Sequence, residues 1–164
     1  MPETKEFIAL LDRHQNIIHK VCNLYMDNAN DREDLFQEIT LQAWNAYKSF
    51  RGEAKFSTWL YRVALNTVIA FFRKEKRKSS VEIIADVPEL ADEVNNIEEQ
   101  TQAMYKSIAS LSRIDKALVM LYLEDYNYED IGNMLGITAN NVAVKMNRIK
   151  TKLKEESKKH YQFS

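Results

Sequence analysis

The sequence predicts an all-α protein built from two small helical domains. Its 164 residues include only two prolines and three glycines, so the chain lacks the turn residues that an all-β fold needs at every bend. Apolar residues recur at the 3.6-residue period of a helix in segments of both predicted domains. The composition, 45% hydrophobic and 29% charged, is that of a globular protein. This length allows one ordinary domain or two very small ones.

Several classes of protein are excluded by what the sequence lacks. The single cysteine, Cys22, cannot form an intrachain disulfide or a multi-cysteine zinc site. Residues 1–10 do not form a basic and apolar leader, and no uncharged apolar run approaches the roughly 18 residues of a membrane span. Phosphate-binding loops, nucleophile elbows and paired-histidine zinc motifs do not occur. We therefore expect a cytosolic protein that is not an enzyme and that needs no metal or cofactor.

Charge is distributed unevenly along the chain, although the net charge is only −1. Residues 1–80 carry +3, residues 81–112 carry −6 and residues 113–164 carry +2. The acidic part contains Pro88 and has no sustained helical period, which is typical of a linker with at most one short helical piece. We expect a first domain at 1–78, an acidic linker at 79–99 and a second domain at 100–164.

Basic residues are bunched within each predicted domain. Such bunching favours a polyanionic partner, although a solvated helix end, whose cations complement the helix dipole, gives the same pattern. The bunched residues are Arg73, Lys74, Lys76, Arg77 and Lys78 in the first domain and Lys145, Arg148, Lys150, Lys152 and Lys154 in the second.

The first two helices are predicted at 3–26 and 31–49. His14 lies on the apolar stripe of the first helix, so we expect a structural histidine, and Cys22 is expected to be a small buried hydrophobe. Asp31 is the expected N-cap of the second helix. Besides its apolar face, this helix has an acidic and amide-rich face with one leucine in its middle, which fits either a partner-protein surface or a singly exposed apolar residue. That face comprises Asp34, Gln37, Glu38, Leu41 and Asn45.

A short loop and a third helix combine cations, amides and aromatic rings. The loop at 50–56 has Gly52 at its turn, and Ser57 is expected to cap the helix that follows. That helix is apolar nearly all round, but one narrow polar stripe persists on it. The combination favours contacts with phosphates and unstacked bases, whereas in the alternative interpretation Phe56 and Trp59 simply close the core. The stripe consists of Thr58, Arg62, Asn66, Ile69 and Arg73.

The second domain carries a helix-turn-helix pattern. Ser112 and Asn127 are the expected caps of two helices, and Thr138 caps a third. Gly132 allows close packing, and Gly136 supplies the positive φ of the turn. The outward side chains of the last helix suit the major groove, although a plain helical hairpin has a similar pattern. They are Asn140, Asn141, Ala143, Val144, Asn147 and Arg148, with Lys145, Lys150 and Lys152 beside them.

Three segments together resemble one protein family, the extracytoplasmic-function group of bacterial sigma factors. DREDLFQEITLQAW at 31–44 resembles the family's clamp-binding helix, and FRGEAKFSTWLYRVALNT at 50–67 resembles its promoter-melting loop and helix. YEDIGNMLGIT at 128–138, continued to residue 153, resembles its C-terminal helix-turn-helix. The order and spacing match, whereas the helix-turn-helix alone would be weak because many regulators share it.

The resemblance implies a protein that binds core RNA polymerase and opens promoters, with an anti-sigma factor as a further partner. The implied polymerase contacts are Asp34, Gln37, Glu38 and Leu41. The implied minus-ten contacts are Lys55, Phe56, Trp59, Tyr61, Arg62, Asn66 and Arg73. The implied minus-thirty-five contacts are Asn141, Ala143, Val144, Lys145, Asn147 and Arg148. Relatives often carry a cation at the position of Ala143 and a small hydroxyl residue at that of Val144, so their base preferences do not transfer.

An autonomous helix-turn-helix regulator is the alternative interpretation. Such a regulator is expected to dimerise and to bind a palindrome unaided, but the sequence offers no long heptad seam.

Overall fold

The computed structural model of the protein describes residues 2–78 and 106–161. The chain divides into two compact units, Met1–Pro88 and Glu89–Ser164. All regular secondary structure within the described residues is helical, which confirms the all-α prediction. The predicted linker at 79–99 lies outside the described residues. No helix in the described part of the chain is both long enough and apolar enough to cross a membrane.

The described residues of the first unit form three helices: α1 (Pro2–Tyr25), α2 (Ala29–Tyr47) and α3 (Phe56–Lys78). Each of them packs against the other two, as expected when every helix has an apolar face to bury. The core is formed by fully buried aliphatic side chains from all three helices: Ile18, Val21, Leu35, Ile39, Leu60, Leu65 and Val68.

Two helix starts differ from the sequence-based predictions. The N-cap of α2 is Asn28 rather than Asp31, and the Asn28 side-chain oxygen accepts a hydrogen bond from the Asp31 amide at 2.8 Å. Asp31 therefore lies in the first turn, where its carboxylate faces the positive end of the helix dipole. Helix α3 begins at Phe56, so Ser57 lies inside the helix and does not cap it. Both segments offer several polar residues near the start, and the local pattern does not distinguish among them.

The second unit contains a helical segment at 106–109 and then α4 (Arg113–Leu123), α5 (Tyr128–Leu135) and α6 (Ala139–Tyr161). Helix α6 packs against both α4 and α5. The core of this unit is again aliphatic, with Leu118, Leu121, Ile131, Val142 and Met146 buried.

The three predicted caps of this unit are confirmed. Ser112, Asn127 and Thr138 each precede a helix, and the side-chain oxygen of each accepts a hydrogen bond from the amide three residues later, at 3.2, 2.8 and 3.1 Å. Such a bond satisfies one of the amides that a helix start leaves without an intrahelical partner. The start of each helix is therefore encoded locally in the sequence.

The turn between α5 and α6 depends on two glycines. Gly136 has φ = +75°, a left-handed conformation that L-residues with a side chain adopt only at a cost. Gly132 lies under the turn, where an added Cβ would come within 2.5 Å of the Ile137 carbonyl oxygen. Both glycines therefore act as predicted, one through its conformation and the other through the space it leaves.

His14 and Cys22 have structural surroundings. The His14 Nδ1 atom donates to the Leu10 carbonyl at 2.9 Å, and its ring lies 5.1 Å from the Phe56 ring. Cys22 is 2% exposed, and burial raises the pKa of its thiol to about 11, an effect that nearby Arg32 partly offsets. Because the thiolate is the reactive form, Cys22 is inert at neutral pH, as predicted for a buried hydrophobe.

Candidate nucleic-acid interface

The first turns of α6 present short polar side chains and one cation on a single face. Val142, Met146 and Ile149 are at most 2% exposed, and their burial fixes which side of the helix faces outward. Consecutive exposed positions at intervals of three and four residues lie along one stripe. This recognition stripe consists of Asn141, Val144, Arg148 and Thr151, with exposed Asn147 at its edge.

Two other predicted recognition residues lie at the flanks of this stripe and not within it. Ala143 and Lys145 are half-buried, and at 100° per residue they flank the recognition stripe on opposite sides. A side chain at the flank of a helix lying in a groove faces the groove walls, where the phosphates are, rather than the base edges. The structure therefore divides the six residues predicted for the minus-thirty-five contact into a central set and a flanking set.

Lys150 differs from the other bunched cations of α6 because aromatic residues hold it. Its Nζ atom lies 4.6 Å from the centre of the Tyr122 ring and 3.5 Å from the Tyr128 hydroxyl oxygen. Hydrogen bonds with these two tyrosines raise the pKa of Lys150. The three side chains join α4, α5 and α6 on an exposed side of the second unit. No sequence pattern indicates this contact, because Tyr122 and Lys150 are far apart along the chain.

The predicted polar stripe of α3 is exposed. Arg62, Asn66 and Arg73 are exposed, and Thr58 and Ile69 are half-buried between them. Lys55, the last residue before the helix, is exposed as well. Two guanidinium groups, an ammonium group and an amide therefore follow one side of this unit, and these are the donors that contact phosphates and base edges.

Phe56 and Tyr61 differ from the sequence-based prediction. Their side chains are 7% and 3% exposed, so neither presents a surface that a base or a phosphate could contact. Phe56 starts α3 and packs on His14 of α1, and Tyr61 lies on the buried side of α3. Helix α3 is apolar nearly all round, and for that reason the sequence did not indicate which of its aromatic residues face the core.

The loop at 50–55 is closed by aromatic rings at its two ends. The Phe50 ring lies 5.9 Å from the Phe56 ring and 5.2 Å from the Trp59 ring, and the Phe56 and Trp59 rings are 5.3 Å apart. We name Phe50, Phe56 and Trp59 the loop-closing cluster. Trp59 is half-buried, so one part of its ring belongs to this cluster and another part reaches the surface.

The acidic face of α2 is accessible. Asp34 and Gln37 are exposed, and Leu41 keeps 50% of its surface. Glu38 is half-buried and accepts a hydrogen bond from Gln42 at 3.1 Å. Trp44, one turn farther on, is 36% exposed. Trp44 is not among the residues predicted for this face, although its spacing of three residues from Leu41 places it there.

Comparisons with known proteins match a segment of each of the two units to a protein family. Residues 10–78 match the family described as Sigma-70 region 2, and residues 101–153 match the family described as Sigma-70, region 4. The first match covers α2, the loop and α3, and the second covers the helix-turn-helix. Each of the two exposed stripes, on α3 and on α6, therefore lies within a matched segment.

The chain also resembles whole proteins. It is 26% identical over 164 residues to the ECF RNA polymerase sigma factor SigW of Bacillus subtilis, with 92% of this chain and 88% of SigW covered. It is 30% identical over 147 residues to the ECF RNA polymerase sigma-E factor of Haemophilus influenzae, with 81% and 77% covered.

Solved structures of similar fold include that of another sigma factor. The sigma factor RpoE of Bartonella quintana, in complex with the anti-sigma factor NepR, has a TM-score of 0.67 at 20% identity, with 94% of this chain and 96% of RpoE covered. Two matched regions in the family's order, together with relatives that are similar over most of their length, establish that this chain belongs to the extracytoplasmic-function group of the sigma-70 family.

Proposed function

We propose that this chain binds core RNA polymerase, reads a minus-thirty-five element through α6 and melts a minus-ten element through the loop and α3. One observation carries the proposal: each unit presents an exposed stripe of hydrogen-bonding and basic side chains within a segment that matches a sigma region. The sigma domains are proposed at 1–78 and 100–164, with a linker at 79–99. The protein acts in the cytoplasm with the polymerase and is not an enzyme.

The recognition stripe reads the minus-thirty-five element. Arg148 suits the two acceptors of a guanine, Asn141 suits an adenine, and the Val144 methyl groups suit the methyl group of a thymine. Asn147 reaches a neighbouring base from the edge of the stripe. Ala143 and Lys145, which flank the stripe, lie toward the backbone, where Lys145 pairs with a phosphate. A base pair read by two hydrogen bonds gives about 1–3 kcal/mol of discrimination.

The minus-ten element is held by the loop and the outer side of α3. Lys55, Arg62 and Arg73 pair with phosphates of the melted strand, and Asn66 hydrogen-bonds to a base edge. Trp59 offers the exposed part of its ring for stacking, a sequence-tolerant contact of about 1–3 kcal/mol per base. Phe56 and Tyr61 support these residues from the core instead of contacting DNA.

The acidic face of α2 binds the polymerase. Asp34, Gln37 and Glu38 provide acceptors for basic groups of the clamp helices, and Leu41 supplies the apolar centre. An interface gains most of its affinity from a few central groups that lose contact with water on binding, and the half-exposed leucine surrounded by polar residues fits that arrangement.

An anti-sigma factor is the second protein partner. Solved structures of similar fold include RpoE bound to NepR and CnrH bound to the cytosolic domain of CnrY. A partner of this kind would regulate the chain by covering the α2 face or a DNA-binding stripe.

The protein depends on the polymerase for tight DNA binding. With a net charge of −1, it releases few counterions on binding DNA, and counterion release supplies much of the affinity of independent DNA binders. Joining two weak modules to one polymerase raises their effective concentration at a promoter. An autonomous regulator would instead bind its site at nanomolar affinity in physiological salt without polymerase.

Start-site mapping tests the proposal directly. The purified protein is added to bacterial core RNA polymerase with fragmented genomic DNA, and transcript 5′ ends are sequenced. We expect discrete starts that share two upstream elements. Absence of discrete starts, together with tight unaided binding to a palindrome, would favour the autonomous regulator.

Variants of α6 test the residue assignment. Arg148→Ala should lower initiation at these starts and relax the preference for one base pair in the upstream element. Lys154→Ala removes an exposed cation that lies more than one turn farther along the same helix and about 120° around it from Arg148, and is the matched control. Equal effects of the two variants would mean that only the charge of α6 matters, and the assignment of Arg148 as a base reader would be wrong.

A further inference from the structure

The structure assigns to Tyr47 a positioning role that the sequence pattern did not indicate. Its ring holds the loop-closing cluster in the arrangement in which Trp59 contacts the minus-ten element. This inference rests on the proposed function. Tyr47 is the last residue of α2. Its contacts extend beyond the core to both ends of the loop.

Tyr47 contacts two of the three rings in the cluster. Its ring lies nearly parallel to the Phe50 ring, with centroids 6.0 Å apart and an interplanar angle of 19°. It meets the Trp59 ring edge-on at 6.1 Å and 70°. The Phe50 amide also donates to the Tyr47 carbonyl oxygen at 3.0 Å. One residue thus contacts both the start of the loop and the first turn of α3.

The Tyr47 ring also contacts a buried ring of α1. The Phe7 ring of α1 lies 5.0 Å away, and Phe7 is 3% exposed. Because Phe7 is locked in the core, it restricts the rotamers open to Tyr47. The core of the three-helix unit is therefore connected through Tyr47 to Phe50 and Trp59.

This arrangement matters because the loop has little else to fix its shape. Residues 51–55 are all exposed, and Gly52 has φ = +75° with nothing within 4 Å of an added Cβ. Aromatic pairs add stability beyond that of their buried area, and they prefer particular ring geometries. A binding site for a flipped base requires its contacting groups to be placed in advance. Loss of the Tyr47 ring would leave Trp59 with its contacts to Phe50 and Phe56 but without the edge-on contact that connects it to α2.

The experiment measures selectivity rather than activity alone. Initiation rates are compared on a mapped promoter and on a copy with a transversion in the minus-ten element, at saturating core polymerase. The selectivity ratio is the rate on the mapped promoter divided by the rate on the altered copy. Tyr47→Leu should lower this ratio about ten-fold, as expected from the loss of two aromatic contacts. Its affinity for core polymerase should stay unchanged, because the acidic face of α2 is intact.

Two matched variants separate positioning from general stability. Tyr47→Phe keeps the ring and should keep the ratio within about two-fold of the wild type. Phe36→Leu removes a ring from the same helix that stacks on His19 at 4.8 Å, away from the loop, and should lower the melting temperature without changing the ratio. If Tyr47→Leu does not fold, Tyr47→Met, whose unbranched side chain adapts more easily to an irregular gap, provides the same comparison.

The outcomes are distinct. A lower ratio for the leucine or methionine variant, with a normal ratio for both controls, supports the positioning role. An equal loss on both promoters, leaving the ratio unchanged, would overturn it and make Tyr47 a purely structural residue. If the wild-type protein initiates on neither promoter, the proposed function fails and the inference with it.

Discussion

Replacing Gly132 with alanine tests whether the turn of the helix-turn-helix lies as close to α5 as the structure indicates. The new Cβ would come within 2.5 Å of the Ile137 carbonyl oxygen and within 3.3 Å of two further backbone atoms. The first distance is shorter than a normal carbon–oxygen contact by roughly 1 Å. The opposing atom belongs to the backbone, and the Ile137 amide is itself hydrogen-bonded to the Gly132 carbonyl at 2.9 Å, so a side-chain rotation cannot relieve the clash.

The expected cost follows from two opposing effects. Overpacking of a rigid site costs about 1–3 kcal/mol, and the backbone contact places this site near the upper end. Alanine favours the helix over glycine by about 1 kcal/mol. We expect the free energy of unfolding of the second unit to fall by about 2 kcal/mol. Gly136→Ala is the control, since nothing lies within 4 Å of its Cβ and it suffers only the left-handed strain of about 1 kcal/mol.

Amide hydrogen exchange of the full-length protein gives the relevant free energies, because it reports α5 and α6 separately from α1 to α3. Gly132→Ala should reduce protection in α5 and α6 by more than Gly136→Ala does, and it should leave the first unit unchanged. If Gly132→Ala costs no more than Gly136→Ala, the close approach of turn and helix is wrong. Loss of protection in α1 to α3 would mean that the substitution acts beyond the second unit, and its effect could not be attributed to the turn alone.

Three further predictions concern the first unit. Leu41→Asp should weaken binding to core polymerase at least about ten-fold, or about 1.4 kcal/mol, in a titration with labelled protein; unchanged affinity would remove Leu41 from that interface. Asn28→Ala should lower the free energy of unfolding by about 1 kcal/mol in a urea titration, whereas Asn28→Asp, which keeps a capping oxygen, should not. Because burial raises the pKa of Cys22 to about 11, the unfolded chain loses this proton at lower pH than the folded chain. The stabilisation is complete below pH about 9 and is lost as pH rises toward 11, so Cys22→Ala should flatten the pH dependence of unfolding in that range; an unchanged slope would mean that the thiol is not buried in solution.

Structure is most predictable from this sequence where it depends on near neighbours. A cap needs a polar side chain three residues before an amide, so Ser112, Asn127 and Thr138 could be assigned from spacing alone. Gly136 could be assigned because one backbone conformation at the turn requires glycine. Asn28 shows the limit of the method, since several polar residues compete to begin α2 and the helix starts where the whole chain packs best.

The candidate DNA-binding residues show a similar division. Helical periodicity placed Arg62, Asn66 and Arg148 on exposed faces, and they are exposed. It did not distinguish Phe56 and Tyr61, which are buried, from residues on the surface of the same helix. A helix that is apolar nearly all round carries no periodic signal about which side meets its neighbours.

The all-helical class and the caps and turn of the helix-turn-helix could be predicted because each of them depends on residues a few positions apart, and the resemblance of three segments predicted the order of the two sigma regions. The contacts that the side chains make depend on tertiary packing. Tyr47 meets Trp59 and Phe7, and Lys150 lies over Tyr122, only because helices distant in the chain pack together. Burial and cross-helix contacts are set by the three-dimensional packing of whole helices, and one-dimensional periodicity does not encode them.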